Sequence, residues 1–205
     1  MKPTKNASAN RNVERGAETR REIVQAATRL FAERGYAAVS IEAVLAACGI
    51  SRGALYHHFS GKEALFETAF EAVEINVTSR VVERAGAAKS RAEAIWAGCE
   101  AFLDLTQEPA VRQIMLTDAP SVLGWEKWRE IDARHAFGLL KAALEPAAAE
   151  AGLKAEVVDA FAHMLLASLS ELALMIAQAE DAARALANGK AALRELLARM
   201  LARPA

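Results

Sequence analysis

GISRGALYHHF, residues 49–59, is the stretch on which the fold turns. Gly49 closes an apolar segment carrying Ile41, Val44, Leu45 and Cys48, and glycine accepts the left-handed conformation that ends a helix. Ser51 is placed to cap the next helix. At about 100° per residue, Leu55, His58 and Phe59 share one arc, leaving Gly53, His57 and, at its margin, Tyr56 on the other. One face packs and the other is presented. Two short helices joined by a tight glycine turn, the second offering polar groups, form the pattern of a helix-turn-helix, whose second helix enters the major groove of DNA.

The flanks support this reading. Residues 19–34 carry Ile23, Ala26, Ala27, Leu30 and Phe31 at helical spacing, and Gly35 follows as a C-terminal stop. Ser40 is placed to cap the second helix. Ser60 and Glu63 have the spacing of a capping box that opens a fourth helix with the stripe Leu65, Phe66, Ala69, Phe70 and Val73. Glu42 falls in the first turn of the second helix, where a carboxylate compensates the dipole.

From residue 19 to about 70 the chain resembles the DNA-binding domain of the TetR/AcrR regulators: apolar helix, glycine, short helix, GISRGALYHHF, then the Ser60 to Glu63 box. The likeness covers about a quarter of the sequence. It implies that Ser40, Ser51, Arg52, Gly53, Ala54, Tyr56, His57 and Lys62 form the DNA face. Arg52 opens the recognition helix, either pairing with guanine O6 and N7 or holding only phosphate. Ala54 is placed for a thymine methyl, and Gly53 lets the backbone come close. Tyr56, His57 and Lys62 occupy phosphate-contact positions, and Ser40 with the amides of its helix makes a further phosphate site. His58, on the packed arc, is read as a core histidine.

Charge follows the same division. Residues 1–62 hold ten Lys or Arg against five Asp or Glu, a net +5, while residues 63–205 hold fifteen against twenty-one, a net −6. The basic end coincides with the motif and suits a polyanion. Residues 1–17 are polar and without periodicity, and read as a flexible basic arm, with 18–62 the DNA-binding domain and 63–205 a helical effector-binding and dimerisation domain.

A chain of 205 residues that is 53% hydrophobic, without alternating β-branched runs, is expected to be all-α with a large helical core. No apolar leader opens it and no run of about eighteen apolar residues is seen, so the expected location is the cytoplasm. Cys48 and Cys99 are read as buried thiols. Breaks divide the remainder into helices near 91–106, 109–117, 124–150, 154–179 and 182–202, with breaks at 118–124 and around Pro146 and a weak point at Gly189.

The helix at 154–179 is apolar on nearly every side, including Val157, Met164, Leu169 and Met175, and calls for a partner; with Leu193, Leu196 and Leu197 of the last helix it offers a two-fold, four-helix homodimer seam. Two recognition helices would then stand about 34–36 Å apart over a palindromic operator.

On the helix after Gly124, Arg129, Asp132 and His135 fall on the apolar side, where charges need partners or a cavity. With Trp96, Phe102, Met115, Trp128, Phe161 and Met164 they are candidates for lining an effector pocket; the alternative is a structural ion pair, Arg129 with Asp132, beneath an aromatic core. The sequence contains no metal-spaced cluster, phosphate loop or nucleophile motif, so no catalytic residue, metal or cofactor is expected. The resulting expectation is a regulator, most simply a repressor released from its operator by a small, largely apolar effector; the alternative is a helical interaction module or enzyme with a vestigial helix-turn-helix.

Overall fold

The computed structural model describes residues 5–201, with side-chain surroundings from residue 13 onward, and the elements in that range are helical. Helix α1, Lys5–Ala38, is interrupted at Gly35, whose φ of 74° and ψ of 160° lie in a region open essentially to glycine alone. Ile23, Ala26, Ala27, Leu30 and Phe31 are all buried on its inner face. The helix begins well before residue 18, so the flexible-arm reading is corrected over 5–17, while residues 1–4 lie outside the described range. Extending an existing helix costs far less than nucleating one, and polar residues free of proline can follow without an apolar stripe.

Helix α2, Ile41–Cys48, is capped by Ser40, whose hydroxyl accepts from the Ala43 N–H at 3.1 Å, and ends at left-handed Gly49 (φ 67°). Helix α3, Arg52–His58, is capped by Ser51, which accepts from the Ala54 N–H at 3.2 Å. The capping box at Ser60 does not form. Helix α4, Lys62–Gly86, starts from Gly61 with no side-chain cap, which leaves Glu63 as a first-turn acid beside the positive end of the helix.

Helix α5, Arg91–Leu105, is capped by Ser90. A π-helical segment, Val111–Asp118, runs directly into α6, Ala119–Asp132. The expected break at 118–124 is therefore confined to Gly124 (φ 75°). A second π-turn, Ala133–Phe137, joins α6 to α7, Gly138–Glu150, and Pro146 is accommodated inside α7. Helices α8, Ala155–Gln178, and α9, Ala182–Met200, complete the described chain, with Asp181 capping α9.

Two apolar cores result. One joins α1–α4 through Phe31, Leu55, Phe59, Phe66 and Phe70, and extends to Val111, Ile114, Met115 and Ile131. The other gathers α5, α7, α8 and α9 around Cys99, Leu103, Leu144, Leu165, Leu169 and Leu197. Edge-to-face contacts of Phe66 with Phe31 (5.1 Å) and Tyr36 (5.0 Å) fix α4 against α1. Beside them the Tyr36 N–H donates to Asp118 Oδ2 at 2.8 Å, tying the end of α1 to the π-segment.

Helix α8 corrects one expectation, since by length and composition it is apolar enough to cross a bilayer, with a mean hydropathy of 1.7 over eighteen residues. In the single chain Val158, Ala162, Leu165, Leu169, Ala173 and Ile176 face the core, while Val157, Met164 and Met175 are exposed. Both cysteines are free thiols; Cys99 is buried, and Cys48 is half-buried rather than buried.

Replacing Gly35 by alanine should cost about 1–3 kcal/mol, because the backbone conformation is strained for any L side chain. A Cβ there also meets Gln113 Nε2 at 3.2 Å, the tip of a flexible side chain. Chemical denaturation should therefore show the loss in Gly35→Ala and the same loss in Gly35→Ala with Gln113→Ala; full rescue by the second change would assign the cost to contact instead of backbone.

Candidate functional site

Two places on this scaffold have the chemistry of recognition. The first is the outer face of α2 and α3. Leu55 and Phe59 anchor α3 in the core, leaving Ser51, Arg52, Gly53, Tyr56 and His57 exposed and Ala54 half-buried. His58 turns inward, half-buried with its ring 6.4 Å from that of Phe59. A Cβ on Gly53 would meet nothing within 4 Å among the described residues, so none of them demands glycine at that point. The requirement, where there is one, comes from outside.

Arg52 forms an ion pair with Glu42 in the first turn of α2. The Glu42 carboxyl is held below the usual range, first by its own backbone N–H at the helix start and then by Arg52 and Ser40. Both side chains are well exposed, so the pair is weak and exchangeable. Lys62 is half-buried, with Nζ 4.1 Å from the centre of the Tyr36 ring. Its ammonium thus lies at the junction of α1 and α4, at the margin of the α3 face.

The second place is a cavity of about 360 Å³ bounded by α4, α5, the π-turn after α6, α7 and α8. Its walls are apolar, from Val77, Val81, Ile95, Phe102, Leu139 and Leu169, and its polar side chains are Glu74, Thr78 and Cys99. Glu74 is 2% exposed and its Oε2 has no hydrogen-bond partner among the described residues. Burial, reinforced by the nearby Asp132 carboxyl, pushes its pKa up to about 8. Burial also raises Asp132, against the pull of Arg129 and His163. The Cys99 thiol is pushed up to about 12 by burial, which leaves it an inert wall group.

The aromatic residues expected to line a pocket are distributed differently. Phe102 lines the cavity. Met115 is buried in the core shared with the helix-turn-helix, and Met164 is 64% exposed on α8. Trp96 is half-buried beneath the Arg194 guanidinium, which lies 5.2 Å from its ring centre, and Phe161 is half-buried on α8. Arg129 stacks over Trp125 (5.0 Å) and Trp128 (5.9 Å) and acts on Asp132 through space. His135 Nε2 lies 3.1 Å from Glu71 on α4. Asp132 is buried and coupled to Glu74, so it belongs to the cavity's electrostatics while standing outside its wall.

Glu74 was not anticipated from the sequence, although a signal was available: it follows Phe70 by four residues and precedes Val77 by three, an acid on the buried stripe of α4. Glu67, Glu71 and Glu74 line one side of that helix. Glu67 pairs with Lys127 at 3.0 Å, and Glu71 bridges Arg134 at 3.0 Å and His135 at 3.1 Å. On another side Arg80 makes a two-pronged pair with Glu108 at 2.7 and 2.8 Å. Helix α4 therefore carries the floor of the helix-turn-helix at one end and a wall of the cavity at the other.

Comparison with known proteins agrees with this division. Residues 23–69 match the family model described as bacterial regulatory proteins, tetR family, and residues 92–200 match the tetracyclin repressor-like C-terminal domain. A TetR-family transcriptional regulator from Pectobacterium atrosepticum has a solved structure with a TM-score of 0.78 and 32% identity, covering 94% of this chain and 98% of its own. The transposon Tn10 TetC protein of Escherichia coli is 26% identical over 158 residues, 76% of this chain and 79% of its own length. The HTH-type regulator UidR of Escherichia coli K12 is 47% identical over 49 residues, 24% of this chain and 25% of its own. With both halves matched and a relative aligned nearly end to end, this chain belongs to the TetR family of helix-turn-helix transcriptional regulators.

Proposed function

We propose that the protein is a cytoplasmic, homodimeric repressor that leaves a palindromic operator when a small effector enters the cavity beside α4. The observation that carries this reading is the continuity of α4 between the two sites, since one helix packs Phe66 and Phe70 under α1–α3 and presents Glu74, Val77 and Val81 to the cavity. DNA is met by Ser40, Ser51, Arg52, Gly53, Ala54, Tyr56, His57 and Lys62. In this scheme Arg52 leaves Glu42 for the major groove, and Tyr56 and His57 hold phosphates. The domain division at residue 62 then marks where α4 begins, with that helix serving both sides.

The second copy covers the outer face of α8 and α9. Val157, Met164 and Met175 are seven and eleven residues apart along α8, on one side of the helix, and Leu196 adds to them from α9. Their exposure in a single chain is the expense a dimer removes. Effector binding shifts the position of α4 and with it the separation of the two recognition helices; the ligand acts only through unequal affinity for the two arrangements.

Two experiments test the reading. With a fragment of the DNA upstream of its own gene, the protein should bind selectively and more weakly as salt rises, and Arg52→Ala should lose about 1–3 kcal/mol of that affinity. Salt-independent or unselective binding would count against a regulator. Met164→Glu combined with Met175→Glu alters exposed positions only, so the fold should persist while sedimentation shows monomers and the palindrome is bound no better than a half-site. A double variant that stays dimeric would remove α8 from the interface.

A further inference from the structure

We infer that the cavity takes a small monocationic amphiphile, a lipophilic amine or quaternary ammonium, whose charge pairs with Glu74 while its apolar body fills the space between Val77, Ile95, Phe102 and Leu169. The inference rests on the effector-cavity reading above and adds the chemical class. It stands on geometry: a nearly all-apolar wall, one carboxyl on it that is 2% exposed, and an oxygen of that carboxyl with no partner. An orphaned buried polar atom costs about 1–3 kcal/mol. A purely apolar ligand seals that cost in.

The neighbouring charges select the sign. Asp132, 7% exposed, adds a second carboxyl acting on Glu74. On α4 itself, Glu71 faces the same helix side and is engaged with Arg134 and His135. Arg129 on α6, which is stacked on two indoles, and His163 on α8, which also lies 3.7 Å from Asp159, act on Asp132 and pull against its burial. From α5 the cavity meets the neutral Cys99 thiol, and among the described residues no lysine or arginine lines it. An anion meets two acids there, whereas a cation is attracted by both.

Proton balance gives the class a signature. With its pKa near 8, Glu74 is mostly protonated at pH 7 in the empty cavity. A permanent cation converts Glu74 to the carboxylate and expels its proton to solvent, so affinity should rise with pH up to about 8 and level off above it. A neutral ligand carries no such linkage.

Benzyltrimethylammonium and neopentylbenzene, which share a shape and differ by one charge, are suitable probes. Titration calorimetry of the full chain in buffers of different ionisation enthalpy should show the cation bound, close to one proton released per ligand at pH 7, and affinity falling about tenfold between pH 7 and pH 6. Glu74→Gln should abolish the proton release and the preference over the neutral probe. His163→Gln should keep both, which places the titration on Glu74. Melting curves establish that each variant is folded, and Glu74→Leu supplies a second variant that should favour the neutral probe. Equal or better binding of neopentylbenzene, or cation binding unchanged by Glu74→Gln, overturns the ligand class while leaving an effector cavity in place. Failure of the cavity to bind either probe overturns the effector reading as well.

Discussion

The packing of Phe66 against Phe31 and Tyr36 is the contact on which the rest depends. It fixes the start of α4 beneath the helix-turn-helix, and because α4 continues unbroken to Gly86, it also fixes where Glu74 and the cavity wall stand. A helix of 25 residues spans about 37 Å at 1.5 Å per residue, enough to reach from one core to the other. Its ion pairs are arranged along that length: Glu67 and Glu71 toward α6 and the π-turn, Arg80 toward Glu108. These pairs are partly exposed, so each contributes little to stability.

The junction between the two cores is made by a polar contact and a glycine as well as by apolar packing. The Tyr36 N–H to Asp118 bond closes the turn that Gly35 opens, and places the π-segment beside the end of α1. That segment contributes Val111, Ile114 and Met115 to the same core as Leu55 and Phe59. The boundary between the parts is therefore a shared core with an irregular helix in it.

What the sequence disclosed and what it hid follow from the range of the interactions. The helix-turn-helix was legible because its determinants are local: Ser40 and Ser51 as caps, Gly49 in the left-handed region, Leu55 and Phe59 one turn apart. The starts of α5 and α9 were legible for the same reason, at the caps Ser90 and Asp181, whereas the expected break at 118–124 was not met because the helix runs on through its π-segment. The cavity was not, since aromatic residues suggest a pocket by their size, yet size fills space: Met115 completes a core and Trp96 packs under Arg194. The hollow instead arises where small side chains from separate helices meet, at Ala94, Gly98, Ala136 and Ala143. No periodicity along one helix records that coincidence. The capping box at Ser60 failed for a local reason, because Gly61 takes the cap position itself.

The two kinds of contact around the cavity respond differently to movement of α4, and this bears on how a ligand could read the helix position. Apolar burial is non-directional and changes slowly with displacement, so Val77 and Val81 would hold a ligand about equally well in neighbouring arrangements. A charged hydrogen bond depends steeply on distance and angle. Glu74 is the acid on the wall and is carried by α4 itself. On the proposed reading, then, the apolar lining supplies most of the affinity, and the buried carboxyl supplies the difference in affinity between the two positions of α4, which is the quantity that moves the equilibrium.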